Sequence, residues 1–550
     1  MRKVTMKKGL SVIFAIVMAV GMMAGCGSGE TKENDNNKQT SEVSNVGSET
    51  AGGSYTDYSA GFPETVTIQI PVYDRAFEGW DVTDNYYTRW IQSEFGDKYN
   101  INVEYVGIGR STEIQDFMQL IAAGNAPDII FHYDMPQAVN YYGEGAMQAL
   151  DLAEIEYYAP TYYANMKDTI NKYGVLEDQN VFFFAEREAI YYNYVTLIRQ
   201  DWLDAVGADM PTNRAELEEV AKKWKDAGLG TIGEKLWVAS FTMEYPFMDG
   251  SATEEEYAKY LDLNVAPLTW KPTENYLRTL NAEYNEGILD EEFYLVKDDA
   301  SWKAEFVAGN VGTYQFFINS STDVITSLLA NDSDAKVAVL DPGALGETGN
   351  NYYYEYPPYG MIMGINSTTS AEERAAVWMF LDWMSQPENL FYLQNGIEGE
   401  NYTLEDGIAV PVADFAGESK LSQNNNKDYW CLVAEVANYG EEEMNYKANL
   451  RTLAPAGYEN LIEDSYSYTT ADAEYGVITP IFTKVVESTG EYTADLNSMW
   501  QEFSTDLITC DPEEFDEKYA EYCQEYLDSG YQEILDEKAA LYAEGSYIAE

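Results

Sequence analysis

The stretch from Val66 to Phe131 constrains the fold most, because its apolar spacing switches between period two and helical period four times in succession. Val66, Ile68 and Ile70 alternate as a strand that is expected to stop at Pro71. Tyr87, Ile91 and Phe95 follow at helical spacing up to Gly96, and Ile101, Val103 and Tyr105 alternate again. Ile114, Phe117, Met118 and Ile121 form a second helix face closed by Gly124, and Ile129-Ile130-Phe131 is a short buried run after Pro127. This βαβαβ order predicts an α/β fold with a parallel sheet covered by helices on both faces. Ligands of such sheets bind beyond the carboxyl ends of the strands. Tyr73 to Trp80 and His132-Tyr133-Asp134 are therefore the segments expected at a binding edge.

Helical signals continue along the chain. Asn213-x-x-Glu216 reads as a cap ahead of Leu217, Val220 and Trp224, and Ser370-x-x-Glu373 as a capping box ahead of Val377 to Met384. Leu277, Leu280, Tyr284 and Ile288 mark a further helix interrupted at Gly287. Tyr492 to Ala543 reads as two or three surface helices. At 550 residues the chain is too long for one ordinary core.

Charge excludes several function classes. Lys and Arg total 33 against 94 Asp and Glu, a formal net charge of -61, so the field repels polyanions and nucleic acid is not a partner. The single histidine, His132, removes multi-histidine metal sites and leaves no partnered nucleophile motif, so neither a metal nor a cofactor is expected. Tyr (46) outnumbers Phe (21), which supplies many rings with a polar handle.

The first residues have the three parts of a secretory signal: cations at Arg2, Lys3, Lys7 and Lys8, an apolar run from Leu10 to Ala24, and Gly25-Cys26. The run is shorter than a bilayer span. Met23-Ala24-Gly25-Cys26 resembles the lipobox of bacterial lipoproteins, with Met23 in place of the usual Leu. That resemblance implies diacylation of Cys26 and a membrane anchor. Loss of the four signal cations takes the formal charge from -61 to -65. Gly27 to Gly61 has the composition of a flexible tether, with an r.m.s. reach of roughly 30–35 Å. Cys431, Cys510 and Cys523 form no zinc pattern; one Cys510–Cys523 disulfide or free thiols both fit.

Several motifs resemble, in order, those of extracellular solute-binding lipoproteins of carbohydrate ABC transporters, in the maltodextrin-binding-protein-like group and its large lipoprotein branch. They are Ala122-Ala123-Gly124-Asn125-Ala126-Pro127-Asp128-Ile129-Ile130; Leu197-Ile198-Arg199-Gln200-Asp201-Trp202-Leu203-Asp204; Tyr284-Asn285-Glu286-Gly287-Ile288; Phe306-Val307-Ala308-Gly309-Asn310-Val311-Gly312; and Gly396-Ile397-Glu398-Gly399-Glu400-Asn401-Tyr402. The resemblance implies a two-lobed periplasmic-binding-protein-like fold with hinge crossovers, closing on an oligosaccharide, and no catalysis. It implies a signal peptide over 1–25 and a lipidated tether over 26–61. Lobe 1 would be 62–190 with 350–410, and lobe 2 would be 191–349 with 411–550, including extra C-terminal helices. The implied partners are an oligosaccharide, permease subunits of an ABC importer, and the membrane through Cys26, with the protein a monomer on the extracellular face.

A sugar ring offers a C–H face and a rim of hydroxyls, so its site needs flat aromatic surfaces, carboxylates and amides. Tyr73, Asp74 and Trp80 follow the first strand, and Tyr133 and Asp134 the third. Loop packing, or helix capping for Asp134, is their ordinary alternative. Arg187 is a rare cation, expected either in a salt bridge or on a ligand carboxylate. Trp237, Trp270 and Trp302 are candidate stacking rings of the second lobe, with core burial their ordinary alternative; Tyr314, as a ring, and Gln315, as an amide, are candidates that follow the Gly309 to Gly312 turn. Tyr359 closes the dense run Tyr352 to Tyr359, in which alternation turns every second ring to one side. His132 is expected to be a structural neighbour. A secreted glycoside hydrolase using two carboxylates, or a peptide receptor of the same transporter class, are the competing readings.

Overall fold

The computed structural model describes residues 55–74, 80–110, 112–176, 178–187, 194–235, 245–261, 265–296, 298–350, 352–412, 415–421, 426–435, 439 and 441–548. The signal, Cys26, most of the tether and Trp237 lie outside the described residues.

Eight strands position the site: β1 (Val66–Asp74), β2 (Ile101–Gly109), β3 (Ile129–His132), β4 (Phe183–Glu186), β5 (Tyr194–Arg199), β6 (Thr313–Phe317), β7 (Val337–Val339) and β8 (Tyr359–Ile365). β1 and β2 pair in parallel, from Val66 opposite Ile101 to Asp74 opposite Gly109. β1 runs through Pro71 instead of stopping there, because the fixed φ of proline suits extended backbone and forfeits only one donor. The third strand departs from the expected parallel order. β3 pairs antiparallel with β8, a strand from more than two hundred residues later, and β8 pairs antiparallel with β4 on its other side. Gln69 still ties β1 to the start of β3, its N–H donating to Asp128 Oδ2 at 2.7 Å while the Asp128 N–H donates to Gln69 O at 2.9 Å.

Local signals set most helix ends. The helix Ala371–Ser385 opens with the full Ser370/Glu373 capping box, and Asn213 caps Arg214–Ala227 through the Glu216 N–H. Gly124, Gly228 and Gly287 close their helices in the left-handed conformation. The first helix does not end at Gly96. A π-turn carries it to Tyr99 and it ends at Asn100, with φ 56°; a Cβ at Gly96 would collide with Gln92 and the Ile101 carbonyl.

Apolar packing collects around two sheets. The first core joins β1–β4 and β8 to the helix Ala371–Ser385 and takes in Tyr429, Trp430 and Leu432 from late in the chain. The second surrounds β5–β7. The C-terminal helices Glu487–Thr509, Phe515–Tyr526 and Gln532–Glu544 are part of this core, not a surface layer: Leu496, Trp500, Leu507 and Ile534 are fully buried. Asn281 explains the docking, since its amide donates to the carbonyls of Leu507, Ile508 and Cys510, which the helix leaves open at its end. Cys510 and Cys523 are free thiols and form no disulfide with each other.

Candidate functional site

The carboxyl ends of β1, β2, β3 and β4 converge on a polar edge of the first sheet. β1 delivers Tyr73, whose hydroxyl donates to Glu113 Oε2 at 2.6 Å. Arg110, one residue past β2, donates to the Tyr73 hydroxyl at 2.9 Å and to Glu113 Oε2 at 3.2 Å. Its guanidinium lies 4.6 Å from the Tyr73 ring centre and 5.0 Å from that of Tyr133. Burial pushes the Glu113 carboxyl up, against the pull of Tyr73 and Arg110. Its second oxygen, Oε1, is buried and accepts no hydrogen bond. His132 Nε2 is 3.6 Å from that oxygen, while His132 Nδ1 accepts the Asp134 N–H at 2.9 Å. Burial, helped by the Arg110 charge, holds the imidazole neutral down to about 4.

A second ion pair lies at the end of β4. Arg187 donates through Nε and Nη2 to Glu435 Oε2 at 3.3 and 3.1 Å, both side chains being only about a tenth exposed. The Tyr356 ring lies 4.9 Å from this guanidinium. Burial raises the Glu435 carboxyl, but the Arg187 and Lys427 charges, with hydrogen bonds from Arg187 and the Tyr133 hydroxyl, together hold the group below the usual range. Backbone bonds between Glu186 and both Val433 and Glu435 lock this segment to β4. Gly360 on β8 leaves the space, since a Cβ there would collide with Glu435 Cγ. Each guanidinium at this edge therefore already faces a carboxylate.

The sequence-derived candidates divide accordingly. Tyr133, Asp134 and Arg187 come together at this edge with Tyr73, and Asp74 stands exposed at the end of β1. Asp134 is the N-cap residue of Met135–Gly143, yet its carboxylate makes no cap bond. Trp80 is partly buried, 6.2 and 6.4 Å from the rings of Tyr87 and Tyr429. Four candidates expected to stack on ligand offer no open ring face. Tyr73 is 1% exposed, contributing its hydroxyl rather than its ring, and Tyr359 packs on Phe184 and Tyr173. Trp270 stacks on Tyr260, and Tyr314 stacks on Phe316 and Phe306 in the second core. Gln315, on the other face of β6, lines a separate pocket. Arg110, Glu113 and Glu435 were not anticipated. Arg110 follows β2 as Tyr133 follows β3, at the carboxyl end of a strand, so the strand-end rule reaches it; nothing local marks Glu435, 248 positions from its partner.

A family model described as bacterial extracellular solute-binding protein matches residues 90–395. The chain belongs to this family. Lipoprotein LipO of Bacillus subtilis (strain 168) is 26% identical over 224 residues, covering 38% of this chain and 44% of LipO, so the chain spans less than half the length of that relative. The alginate-binding protein AlgQ2 superposes with TM-score 0.61 at 17% identity, over 88% of this chain and 100% of AlgQ2. The Streptococcus pneumoniae ABC-transporter substrate-binding protein FusA, an EF-hand mutant in complex with fructo-nystose, gives TM-score 0.60 at 14% identity, over 87% of this chain and 99% of FusA. This solute-binding protein thus has the two-lobed α/β fold expected from its motifs, and its family is one of binders rather than enzymes. No helix among the described residues is long and apolar enough to cross a membrane.

Proposed function

We propose that this protein is the lipid-anchored receptor of an ABC importer and captures a neutral oligosaccharide between its two lobes for delivery to the permease. The observation that carries this reading is the polar edge of the first sheet. Tyr, Glu, Asp and Arg groups gather at strand ends there, with Glu113 Oε1 buried and awaiting a donor. A sugar hydroxyl is such a donor, and both cations are already neutralised, which disfavours an anionic glycan. The likeness to FusA with its bound fructo-nystose supports the sugar class. In this reading residues 62–190 with 350–410 form lobe 1 and 191–349 with 411–550 lobe 2, Tyr429 to Ala434 reaching back into the first core. The protein acts as a monomer on the extracellular face, tethered through Cys26; the lipobox-like residues and the lipoprotein relative support the anchor.

Isothermal titration against malto-, cello-, xylo-, manno- and fructo-oligosaccharides tests the reading, with micromolar binding of one neutral series expected, about -8 kcal/mol. Binding of a peptide and of no glycan would overturn it. Palmitate labelling that survives in Cys26→Ala would overturn the anchor.

A further inference from the structure

The second lobe holds an open ring at the end of a sheet strand, and it is not one that motif or composition marks. Trp302 and Tyr314 are buried edge to face against each other, and Trp270 is stacked on Tyr260. Phe317, the last residue of β6, is 39% exposed. Alternation along β6 turns Tyr314 and Phe316 into the core and Phe317 away from it. Tyr194, the first residue of β5, is its register partner, and the two ring centres are 4.2 Å apart with 31° between the planes. Tyr194 thus backs the Phe317 ring and fixes how it is presented. Tyr157 and Tyr294 are exposed too, but they lie on a helix and on a 3-10 turn, away from any strand end.

Position gives this ring a use. The carboxyl ends of β6 and β7 lie beside the amino end of β5: Phe317 is opposite Tyr194, and the Leu340 N–H just past β7 donates to Thr196 O at 2.8 Å. That end of β5 is the one joined to the first lobe, since Arg187 at the polar edge and Tyr194 are seven positions apart and so separated by roughly 25 Å at most. The chain that leaves β7 returns to β8 of the first lobe. Phe317 therefore stands on the side of the second sheet turned to the first lobe. The two edges are chemically complementary. One offers Tyr, Arg and carboxylate groups, with Glu113 Oε1 buried and accepting no hydrogen bond; the other offers an aromatic surface with no hydroxyl. Glu113 Oε1 needs a donor and Phe317 an apolar surface, and Arg110, bonded to Glu113 Oε2, repels an ammonium from the same carboxylate. A pyranose ring supplies both, with C–H groups on its face and hydroxyls round its rim. We propose that Phe317, backed by Tyr194, is the stacking platform of the second lobe and takes the C–H face of a neutral pyranose in a glycan whose hydroxyls engage the polar edge of the first lobe. The inference rests on the oligosaccharide reading above and names the residues through which the second lobe takes part.

Calorimetry on the full chain, with the neutral oligosaccharide that binds the wild type, tests the platform. Phe317→Ala is expected to weaken Kd about tenfold, and Phe317→Leu, which stays apolar but loses the flat face, by nearly as much. Phe317→Tyr keeps the ring and is expected to hold Kd within about twofold. Tm is expected to change little in all three, because the ring is exposed. Wild-type glycan binding with Kd unaltered in Phe317→Ala would overturn the platform and leave the receptor reading standing, whether or not uptake by cells falls. Phe317→Leu binding as tightly as the wild type, or Phe317→Tyr as weakly as Phe317→Ala, would overturn stacking as the role of the ring. No glycan binding by the wild type would overturn both readings.

Discussion

Replacing Glu435 by Gln removes one charge and almost no volume from the Arg187 pair, so its consequences can be worked from geometry. In the folded protein Arg187 holds Glu435 through two bonds at 3.1 and 3.3 Å with both groups about 90% buried. Two unit charges near 4 Å interact by about 4 kcal/mol at an effective dielectric of 20, and the net worth of a charged hydrogen bond is about 1.5–3 kcal/mol. Glu435→Gln keeps an acceptor for the guanidinium but leaves its charge unanswered. The variant is expected to lose about 2 kcal/mol of stability, and a uronate-bearing glycan regains about 1.5–3 kcal/mol by facing Arg187. The Kd ratio of a mannuronate trisaccharide to neutral mannotriose then falls roughly 10- to 150-fold. Titration calorimetry of both ligands on wild type and variant, at low and at physiological salt, measures that ratio. An unchanged ratio in Glu435→Gln, or a wild type that prefers the uronate, refutes the reasoning.

Four further outcomes are expected. Glu283→Ala strands the buried Arg214 guanidinium and is expected to cost about 3–5 kcal/mol in urea unfolding, whereas Arg214→Met with Glu283→Leu recovers most of it; a single-variant loss below about 1 kcal/mol refutes the pair's importance. Glu234 takes up a proton up to about pH 7 when folded against about 4.5 when unfolded, so stability falls as pH rises through that window, by up to roughly 3 kcal/mol, and Glu234→Gln abolishes the slope. His132 acts oppositely: folded near 4 and unfolded near 6.5, it makes stability fall as pH drops between them, and His132→Gln flattens that acid limb of a Tm–pH profile. Burial pushes the Cys523 thiol up to about 11 and raises Cys510, so a thiol-disulfide dye at pH 8 is expected to react with neither until the protein is unfolded; a fast native phase would contradict their burial.

The positions of strands and helices between Val66 and Phe131 were legible because periodicity and caps act over three or four residues. The Ser370/Glu373 box and the glycines at 124, 228 and 287 depend only on neighbouring backbone. The strand-end rule likewise brought Tyr73, Tyr133 and Asp134 to one edge. The rings chosen by composition and neighbouring motifs fared differently: Trp270, Tyr314 and Tyr359 lie against other aromatic side chains, and no local pattern says which element covers a ring.

By itself, then, the sequence determined the element order, the acidity that turns polyanions away, and the motif order of a solute-binding protein. Tertiary structure alone decided that β8 enters antiparallel beside β3, that Asn281 caps a C-terminal helix into the second core, and that Glu435 meets Arg187. The physical reason is range. Backbone hydrogen bonding and side-chain periodicity are satisfied within a turn or two, while desolvation and charge pairing are settled only when distant segments exclude water together.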